Sequence, residues 1–539
     1  MAQGMTGKRI FLYDTTLRDG AQTQGVTFTV GDKLKVARML DSLGVDYVEG
    51  GWPGANPTDD QFFGEKRPRL SRSKLCAFGM TRRAGRSAAN DPGLRALFDV
   101  RPDVVTLVGK SSARQAEGAL GVTRSENLDM IRESIAEAKR HVPEVMFDAE
   151  HFFDAFKADP DYALACLEAA LGGGADWLVL CDTNGGTLPF EIEEIVGRVR
   201  ERFPEARLGI HAHNDTGNAI ANSLAAVRAG CTQIQGTLNG LGERCGNADL
   251  VALIPTLVFK MGLDVGIPPE NIRHLTHLSR TFDELLNRVP NRHAPYVGAS
   301  AFAHKGGLHA SAVLKDPSFY EHIDPDLVGN SRDILVSDQA GRSNLLRRFE
   351  EMGIHLDIDE YQTRRILDLV KTREAQGFSY DGASASFELL VRRELGQVPD
   401  YFDVVRFRVI NERRYNARGE LVHVSEATLK VRIGTREFHE VADGDGPVNA
   451  IDRALRKALV EVYPVLADMR LVDYKVRILT PERGTAAVIR VMIESEDSQG
   501  RLWQTVGVSE NIIVASYNAL HDAITWKLLA EGAQAPDGR

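Results

Sequence analysis

The feature that most constrains the fold is a regular alternation of short apolar runs with segments of helical periodicity, from Lys8 to about Met261. Eight apolar runs can be counted, and stretches between them, such as 31–44 and 126–141, carry apolar residues at helical spacing. Eight βα units in roughly 250 residues are the number and length of a (β/α)8 barrel. The pattern therefore predicts an α/β fold with an eight-stranded TIM barrel, and a doubly wound open sheet is the alternative.

Reactive side chains fall at one end of these runs. They are Arg18 and Asp19 after the first run, Glu150 in the fifth, Asp182 and Thr183 in the sixth, and His211, His213 and Asp215 in the seventh. In an open sheet the site gathers at a switch point between a few strands, whereas a barrel collects side chains from many strands around one axis. This distribution favours the barrel.

The chain of 539 residues exceeds the roughly 250–300 at which a single core stops growing, so further domains are expected. We predict a catalytic barrel over 8–278, helical linker subdomains over 279–400 and a C-terminal α+β domain over 401–535. The last contains a weak repeat at an interval of 65 residues, in which Val441, Ala450, Ala454 and Leu455 recur as Val506, Ala515, Ala519 and Leu520. A duplicated ββα module offers a ligand crevice on its pseudo-twofold axis, and a dimerisation module without ligand is the alternative.

Charge and cysteine content exclude several classes of protein. With 65 basic and 75 acidic residues the net charge is −10, so no basic surface for nucleic acid or anionic lipid is implied. Five cysteines without CxxC spacing indicate reduced thiols, and no uninterrupted apolar stretch reaches the ~18 residues that cross a bilayer. We expect a cytoplasmic protein that binds neither nucleic acid nor membrane.

The segment HAHND at the seventh run suggests a metal site. His211 and His213 share a strand face because they are two residues apart, although such a pair alone is equally typical of two ordinary polar residues. Asp19 after the first strand and Asn247 after the eighth strengthen the case, because a barrel makes strands one, seven and eight neighbours. With no cysteine at ligand spacing, an open Mg²⁺ or Mn²⁺ site is favoured over structural zinc, and zinc or cobalt could substitute.

Arg18 and Glu150 are the candidate catalytic residues from strand ends. Arg18 beside Asp19 could be a plain surface ion pair, but at a barrel mouth a permanent guanidinium charge can stabilise a forming oxyanion. Glu150 could be a base or a hydrogen-bond partner. Cys245 lacks an identifiable base and is interpreted as structural, and the linker histidines His304 and His309 are usually structural unless that region folds over a site.

Taken together, LRDGAQ, HAHND and NGLGERCGNAD resemble the DRE-TIM metallolyase superfamily. The segment GLHASAV and the duplicated module narrow the resemblance to the 2-isopropylmalate synthase and homocitrate synthase family, along nearly the whole chain. DTTLRDGAQ together with EGGWPGANPTD is most similar to the citramalate-forming members of that family.

The resemblance implies an acyltransferase that condenses acetyl-CoA with pyruvate and hydrolyses the thioester to citramalate and CoA, in isoleucine biosynthesis. It also implies a homodimer, with isoleucine as feedback effector and leucine as the second candidate. Alternatives are a synthase acting on a larger 2-oxo acid, giving isopropylmalate or homocitrate, a metal-dependent acyl-CoA lyase, and a non-catalytic amino-acid sensor.

Residue roles follow from the same resemblance. It implies metal binding by Asp19, His211, His213 and Asn247, polarisation of the 2-oxo group by Arg18, and binding of the substrate carboxylate by Thr183, with Asp19 also beside the substrate. Glu150 falls at a catalytic carboxylate, and His309 with Tyr320 at a linker pair that in relatives reaches a barrel from the partner subunit. The sequence departs from relatives at Ala310 and Ser311, where an acidic residue is common, and at Asp148, where pyruvate-selective relatives can carry an aromatic side chain.

Overall fold

The computed structural model describes residues 7–64, 67–304, 309, 312–313, 315–334, 345, 349, 358–415 and 417–536. The chain forms two compact units. The first contains Met1–Leu286 and Pro290–Leu335, and the second contains Asn287–Val289 and Val336–Arg539. The predicted linker region is therefore divided between the two units, and its predicted boundaries at 278/279 and 400/401 stay a prediction.

Eight parallel strands form a closed barrel in chain order, with β1 paired to both β2 and β8. The strands are β1 (Phe11–Asp14), β2 (Tyr47–Gly51), β3 (Lys74–Met80), β4 (Val104–Lys110), β5 (Glu144–Glu150), β6 (Trp177–Asp182), β7 (Leu208–Ala212) and β8 (Gln233–Gly236). Six of them lie within the predicted apolar runs, and β3 and β5 begin one residue before theirs. The barrel prediction is confirmed, and the open sheet is wrong.

Helices of the first unit alternate with these strands and continue beyond β8. They are α1 (Val30–Leu43), α2 (Pro57–Phe63), α3 (Pro92–Asp99), α4 (Ala113–Gly118), α5 (Arg124–His141), α6 (Phe152–Ala158), α7 (Pro160–Gly173), α8 (Pro189–Arg202), α9 (Ala219–Ala229), α10 (Leu250–Pro255), α11 (Pro269–Ile272) and α12 (Leu275–Leu285). Local sequence sets their ends: Thr29 and Asp32 form a capping box at the start of α1, and Gly44 ends that helix with φ of 103°.

Alternation along the strands divides the barrel wall between two cores. Outward residues such as Leu178 and Ile210 belong to the large core under the helices. Inward residues such as Tyr13, Trp177 and Val179 fill the barrel interior. The interior is therefore packed, and it also contains polar side chains, with Glu144 and Gln233 at the amino ends of β5 and β8 and His211 near the carboxyl end of β7.

Beyond α12, the first unit contains two short paired strands, β9 (Ala303–His304) and β10 (Asp333–Ile334). In the second unit, α13 (Glu360–Ala375) and α14 (Ser384–Glu394) supply the predicted helical character. Ala310 and Ser311, where the sequence departs from relatives, lie outside the described residues.

Two antiparallel α+β modules make up the C-terminal region, as predicted. The first comprises β11 (Asp403–Tyr415), β12 (Leu421–Ile433), β13 (Arg436–Gly444) and α15 (Pro447–Val460). The second comprises β14 (Arg470–Ile478), β15 (Ile489–Glu496), β16 (Leu502–Ser509) and α16 (Ile512–Ala530). Each sheet has three strands, so the predicted ββα unit is one strand short. The extra strands, β11 and β14, are largely exposed or half-buried and lack a run of buried apolar residues.

The repeat falls where each helix packs on its sheet. Ala450, Ala454 and Leu455 on α15 and their counterparts 65 residues later on α16 are fully buried. All five cysteines are free thiols, and only Cys245 is exposed. Among the helices that the structure describes, none combines the length and apolar character of a bilayer-crossing segment.

Candidate active site

Four predicted metal ligands converge at the mouth of the barrel. Asp19 follows β1, His211 and His213 lie at the end of β7, and Asn247 lies in the loop after β8. Asp19 Oδ2 is 3.2 Å from His211 Nε2 and 3.7 Å from His213 Nε2, and the two Nε2 atoms are 3.3 Å apart. Asn247 Nδ2 is 3.1 Å from Asp19 Oδ2. All four residues are at most 6% exposed.

This cluster fits a divalent cation. Asp19 Oδ1, His213 Nδ1 and Asn247 Oδ1 are buried without a hydrogen-bond partner among the described residues, which is costly for groups removed from water. Asp19, His211 and His213 also offer ligand atoms within 4.8 Å of one another. Mixed imidazole, carboxylate and amide donors suit Mg²⁺, Mn²⁺, Zn²⁺ or Co²⁺.

Electrostatics keep Asp19 and His213 in the forms that bind a cation. Burial lowers the pKa of His211, but the hydrogen bond and charge of Asp19 outweigh it and raise that pKa. Burial raises the pKa of Asp19, but Arg18 and the two histidines outweigh it and hold that pKa well below its usual range. Burial, reinforced by His211, lowers the pKa of His213 to about 4. Asp19 is therefore a carboxylate, and His213 is a neutral imidazole with a free lone pair.

The glycine-rich loop after β8 is shaped to present Asn247. Gly246 has φ of +88°, and a Cβ there would come within 2.0 Å of the carbonyl oxygen of Gly240. Only glycine combines that conformation with so close a backbone approach. The loop thus serves as a positioning element, consistent with its lack of a phosphate-binding fingerprint.

Arg18 lies beside the cluster and is rigidly held. Its Nε donates to Glu49 Oε1 at 2.6 Å, its Nη1 is 3.5 Å from Asp19 Oδ2, and its Cζ lies 3.9 Å above the ring of Phe78. Burial lowers the pKa of Arg18, but the charges of Glu49 and Asp19 outweigh it and raise that pKa. The side chain is therefore a fixed, permanent cation and not a mobile surface partner.

Glu49 was not among the predicted site residues. It is fully buried and accepts hydrogen bonds from Arg18 and from the Tyr13 hydroxyl, the latter at 2.7 Å. Tyr13 also contacts Thr106 Oγ1 at 2.8 Å. The available signal was a single carboxylate inside the apolar run of β2, in the segment EGGW.

A second missed network supports His211. Its Nδ1 lies 2.8 Å from Gln235 Oε1, and Gln235 Nε2 donates to Asp148 Oδ1 at 3.1 Å. Burial raises the pKa of Asp148 to about 7 although the charges of His211 and Arg18 act in the opposite direction. Gln235 and Asp148 thus form a hydrogen-bonded chain inside the barrel that begins at Nδ1 of His211.

Glu150 and Thr183 lie at the neighbouring ends of β5 and β6. Glu150 is partly exposed and forms an ion pair with Lys110. The Thr183 hydroxyl accepts a hydrogen bond from the His151 backbone N–H at 2.9 Å. Both side chains belong to the same rim as the cluster.

Two further residues singled out in the sequence, Asp182 and Asp215, form hydrogen bonds within and between the loops of that rim. Asp215 accepts two hydrogen bonds from Arg244, at 2.8 and 2.9 Å, and Arg244 also donates to the Thr183 carbonyl. Asp182 accepts a hydrogen bond from the Thr187 hydroxyl at 2.9 Å. These contacts connect the loops after β6, β7 and β8.

His309 and Tyr320 are not brought into the buried cluster. Their rings stack on each other at 4.2 Å, and both side chains are exposed. His304 instead contacts Glu321, with Nε2 3.1 Å from Oε1. Within one chain, therefore, the linker pair forms its own exposed surface.

The arrangement combines a cation-binding cluster, a fixed guanidinium and a carboxylate at one barrel mouth. A bound carbonyl oxygen next to such charges becomes a better acceptor of electrons, because negative charge that forms there is stabilised in a site sheltered from water. The site therefore suits addition of a carbon nucleophile to a ketone.

Comparison with known proteins covers most of the chain. Residues 9–278 match the HMGL-like family, residues 296–377 the homocitrate synthase post-HMGL domain-like family, and residues 381–528 the LeuA allosteric (dimerisation) domain. The chain is 51% identical to an (R)-citramalate synthase of Aquifex aeolicus, over 97% of this chain and 98% of the relative. It is 51% identical to that of Geobacter sulfurreducens, over 96% and 97%, and 49% identical to that of Streptomyces coelicolor, over 97% of each.

Proposed function

Because the chain belongs to the citramalate synthase family of HMGL-like acyltransferases, we propose that it condenses acetyl-CoA with pyruvate and releases citramalate and CoA. The observation that carries this proposal is the identity of about half of all residues over the full length of proteins described as (R)-citramalate synthases. The predicted family is confirmed by the same comparisons.

We assign the divalent metal to Asp19, His211, His213 and Asn247, with Mg²⁺ or Mn²⁺ preferred and Zn²⁺ or Co²⁺ as substitutes. Support comes from the three unpartnered buried atoms and the convergence of the donors. When bound, the ion supplies a Lewis acid that draws electron density from the 2-oxo group of pyruvate.

The remaining roles follow from position at the barrel mouth. Thr183 orients the pyruvate carboxylate, and Arg18 donates to the 2-oxo oxygen as negative charge forms on it. Glu150 and His309, with Tyr320 beside it, are the candidates for the base that removes a methyl proton from acetyl-CoA. For the linker pair we propose that it acts at the barrel of a partner subunit.

The proposed reaction forms one carbon–carbon bond and breaks one carbon–sulfur bond. The deprotonated methyl carbon attacks C2 of pyruvate, a carbon–carbon bond forms, and the ketone oxygen takes a proton to become the hydroxyl of citramalyl-CoA. Water adds to the thioester, the carbon–sulfur bond breaks, and CoA leaves as the free thiol. Hydrolysis makes the overall reaction effectively irreversible.

The test is release of free thiol from acetyl-CoA across a panel of 2-oxo acids, with and without a chelator. Pyruvate should give the highest kcat/KM, and chelation should abolish release. Preference for 2-oxoisovalerate or 2-oxoglutarate would replace the proposal with the isopropylmalate or homocitrate reaction. Cleavage of citramalyl-CoA to acetyl-CoA without condensation would indicate a lyase.

The C-terminal modules support a regulatory role, since residues 381–528 match an allosteric and dimerisation domain. We propose a homodimer in which isoleucine inhibits the enzyme by binding to these modules, with leucine as the second candidate effector. The proposed domain boundaries are at 278/279 and 400/401. Saturating isoleucine should lower velocity and raise the thermal midpoint, and truncation after about residue 400 should remove both effects. Five free cysteines support the further proposal of a cytoplasmic location.

A further inference from the structure

Gln235 contacts the metal-ligand candidate His211 at Nδ1, while the other ring nitrogen, Nε2, faces Asp19. Gln235 lies on the last barrel strand, β8, paired in register with His211 on β7 and with Tyr13 on β1. Its side chain is 1% exposed, and both ends of its amide are used. One end meets His211 Nδ1 at 2.8 Å, and the other meets Asp148 Oδ1 at 3.1 Å.

The orientation of this amide determines where His211 carries its proton. Asp148 Oδ1 accepts the hydrogen bond from Gln235 Nε2, as a carboxylate oxygen or as the carbonyl oxygen of the neutral acid, so the NH₂ group of Gln235 faces Asp148. The amide oxygen then faces His211, and Nδ1 must be the protonated nitrogen to donate to it. In the neutral ring this leaves the lone pair on Nε2, the atom that lies 3.2 Å from Asp19 Oδ2.

We propose that Gln235 and Asp148 are positioning residues that hold His211 with Nδ1 protonated and Nε2 open toward the metal, a proposal that rests on the metal-dependent function above. Asp148 acts on the orientation of the His211 ring through Gln235, because it makes no hydrogen bond of its own to His211 among the described contacts. His213 has no such support, since its Nδ1 has no partner in the described part of the chain. His211 is therefore the anchoring imidazole of the site.

The chain offers a matched control in Gln233. It lies two residues earlier on the same strand and is fully buried inside the barrel, but its Nε2 meets only the Met146 sulfur, at 3.5 Å. Its Oε1 has no partner among the described residues. Replacing either glutamine by leucine removes one buried amide of the same size, and only Gln235 touches a metal-ligand candidate.

The test measures Mn²⁺ affinity of the metal-free, full-length protein from the electron paramagnetic resonance signal of free Mn²⁺. Loss of a hydrogen-bond partner behind a metal-binding histidine usually costs about 10–100-fold in affinity, so Gln235→Leu should raise Kd by that factor. Gln233→Leu should change Kd by less than about twofold, because it lies outside the network. The thermal midpoint of each metal-free variant verifies folding.

Variants of Asp148 separate positioning from packing. Asp148→Asn can still present an oxygen to Gln235 and should keep Kd within about threefold, whereas Asp148→Leu should raise Kd. Adding Asp148→Leu to Gln235→Leu should change Kd by less than about twofold, since the acceptor has nothing left to orient. An additive double variant, or a Gln235→Leu protein with wild-type Kd, would overturn the proposal.

Failure of the underlying function gives a different result. If the wild-type protein binds no Mn²⁺ and releases CoA equally well with chelator, the metal-dependent condensation is wrong. If wild-type protein binds Mn²⁺ and needs it, but Gln235→Leu and Gln233→Leu behave alike, only the positioning role is wrong.

Discussion

Replacement of Arg18 by lysine tests whether the guanidinium stabilises the forming alkoxide. The arginine satisfies three neighbours at once: Nε donates to Glu49 at 2.6 Å, Nη1 lies 3.5 Å from Asp19, and the guanidinium plane packs on Phe78. A lysine carries the same charge on a single nitrogen. It cannot keep the Glu49 contact and also donate to a substrate oxygen, so its ammonium should stay with the buried carboxylate.

The expected loss of kcat follows from the loss of one hydrogen-bond donor to the forming alkoxide. Removing one preorganised donor to an oxyanion usually costs about 100–1,000-fold in kcat, or roughly 2.7–4 kcal/mol of transition-state stabilisation. Arg18→Lys should therefore lower kcat for thiol release by ~100-fold or more, with saturating pyruvate and acetyl-CoA. Because the charge beside Asp19 is kept, Mn²⁺ affinity should change little.

Arg82→Lys is the matched control. Arg82 is 5% exposed and equally well held, with Nε donating to Glu133 at 2.7 Å and Nη1 to Glu126 at 2.8 Å. It has no described contact with the cluster, so kcat should stay within about threefold of wild type. Near-normal kcat for Arg18→Lys would refute the role assigned to the guanidinium, and an equal loss in both variants would indicate a general effect of replacing a buried arginine.

Three further predictions concern the loop, the metal and acid stability. Gly246→Ala should displace Asn247 and weaken Mn²⁺ binding by about tenfold or more, whereas Gly217→Ala, also at positive φ but with open space around its Cβ, should not. Stripping the metal should lower the thermal midpoint, and Mn²⁺ at 100 times its Kd should restore about 2.7 kcal/mol of stability. Burial raises the pKa of Asp41, but hydrogen bonds from residues 71–73 outweigh it and lower that pKa to about 2. Ionised Asp41 therefore adds to the free energy of unfolding at neutral pH, and this stabilisation is lost as pH falls through that value. Asp41→Asn should cost about 2 kcal/mol in urea unfolding at pH 7, and a cost unchanged at pH 3 would contradict this.

The sequence predicts the barrel and the metal-ligand candidates better than the buried residues that hold those candidates in place. All eight strands and the convergence of Asp19, His211, His213 and Asn247 follow from apolar runs and strand ends, because closure of a parallel barrel brings those ends together. Strands buried on both faces form continuous apolar runs, so the inward face cannot be told from the pattern alone.

The supporting roles of Glu49, Asp148 and Gln235 cannot be predicted from the sequence for that reason. Each is a polar residue within a buried strand, and its partner lies on another strand at a position set by register, such as His211 opposite Gln235. The paired strands β9 and β10 escaped for a related reason, since two-residue strands carry no periodicity and depend on a partner about 30 residues away.

The two missed networks have separate tasks at one site. Glu49 and Tyr13 hold Arg18, while Gln235 and Asp148 hold His211, and the two sets meet at Asp19, whose Oδ2 faces both Arg18 and His211. Since Arg18→Lys keeps the charge beside Asp19 and Gln235→Leu leaves the guanidinium bound to Glu49, each change should affect one function. The first should lower kcat at unchanged Mn²⁺ affinity, and the second should weaken Mn²⁺ binding while kcat recovers at saturating metal. If both variants lose kcat and affinity together, the networks act as one unit, and positioning of the metal cannot be separated from stabilisation of the alkoxide.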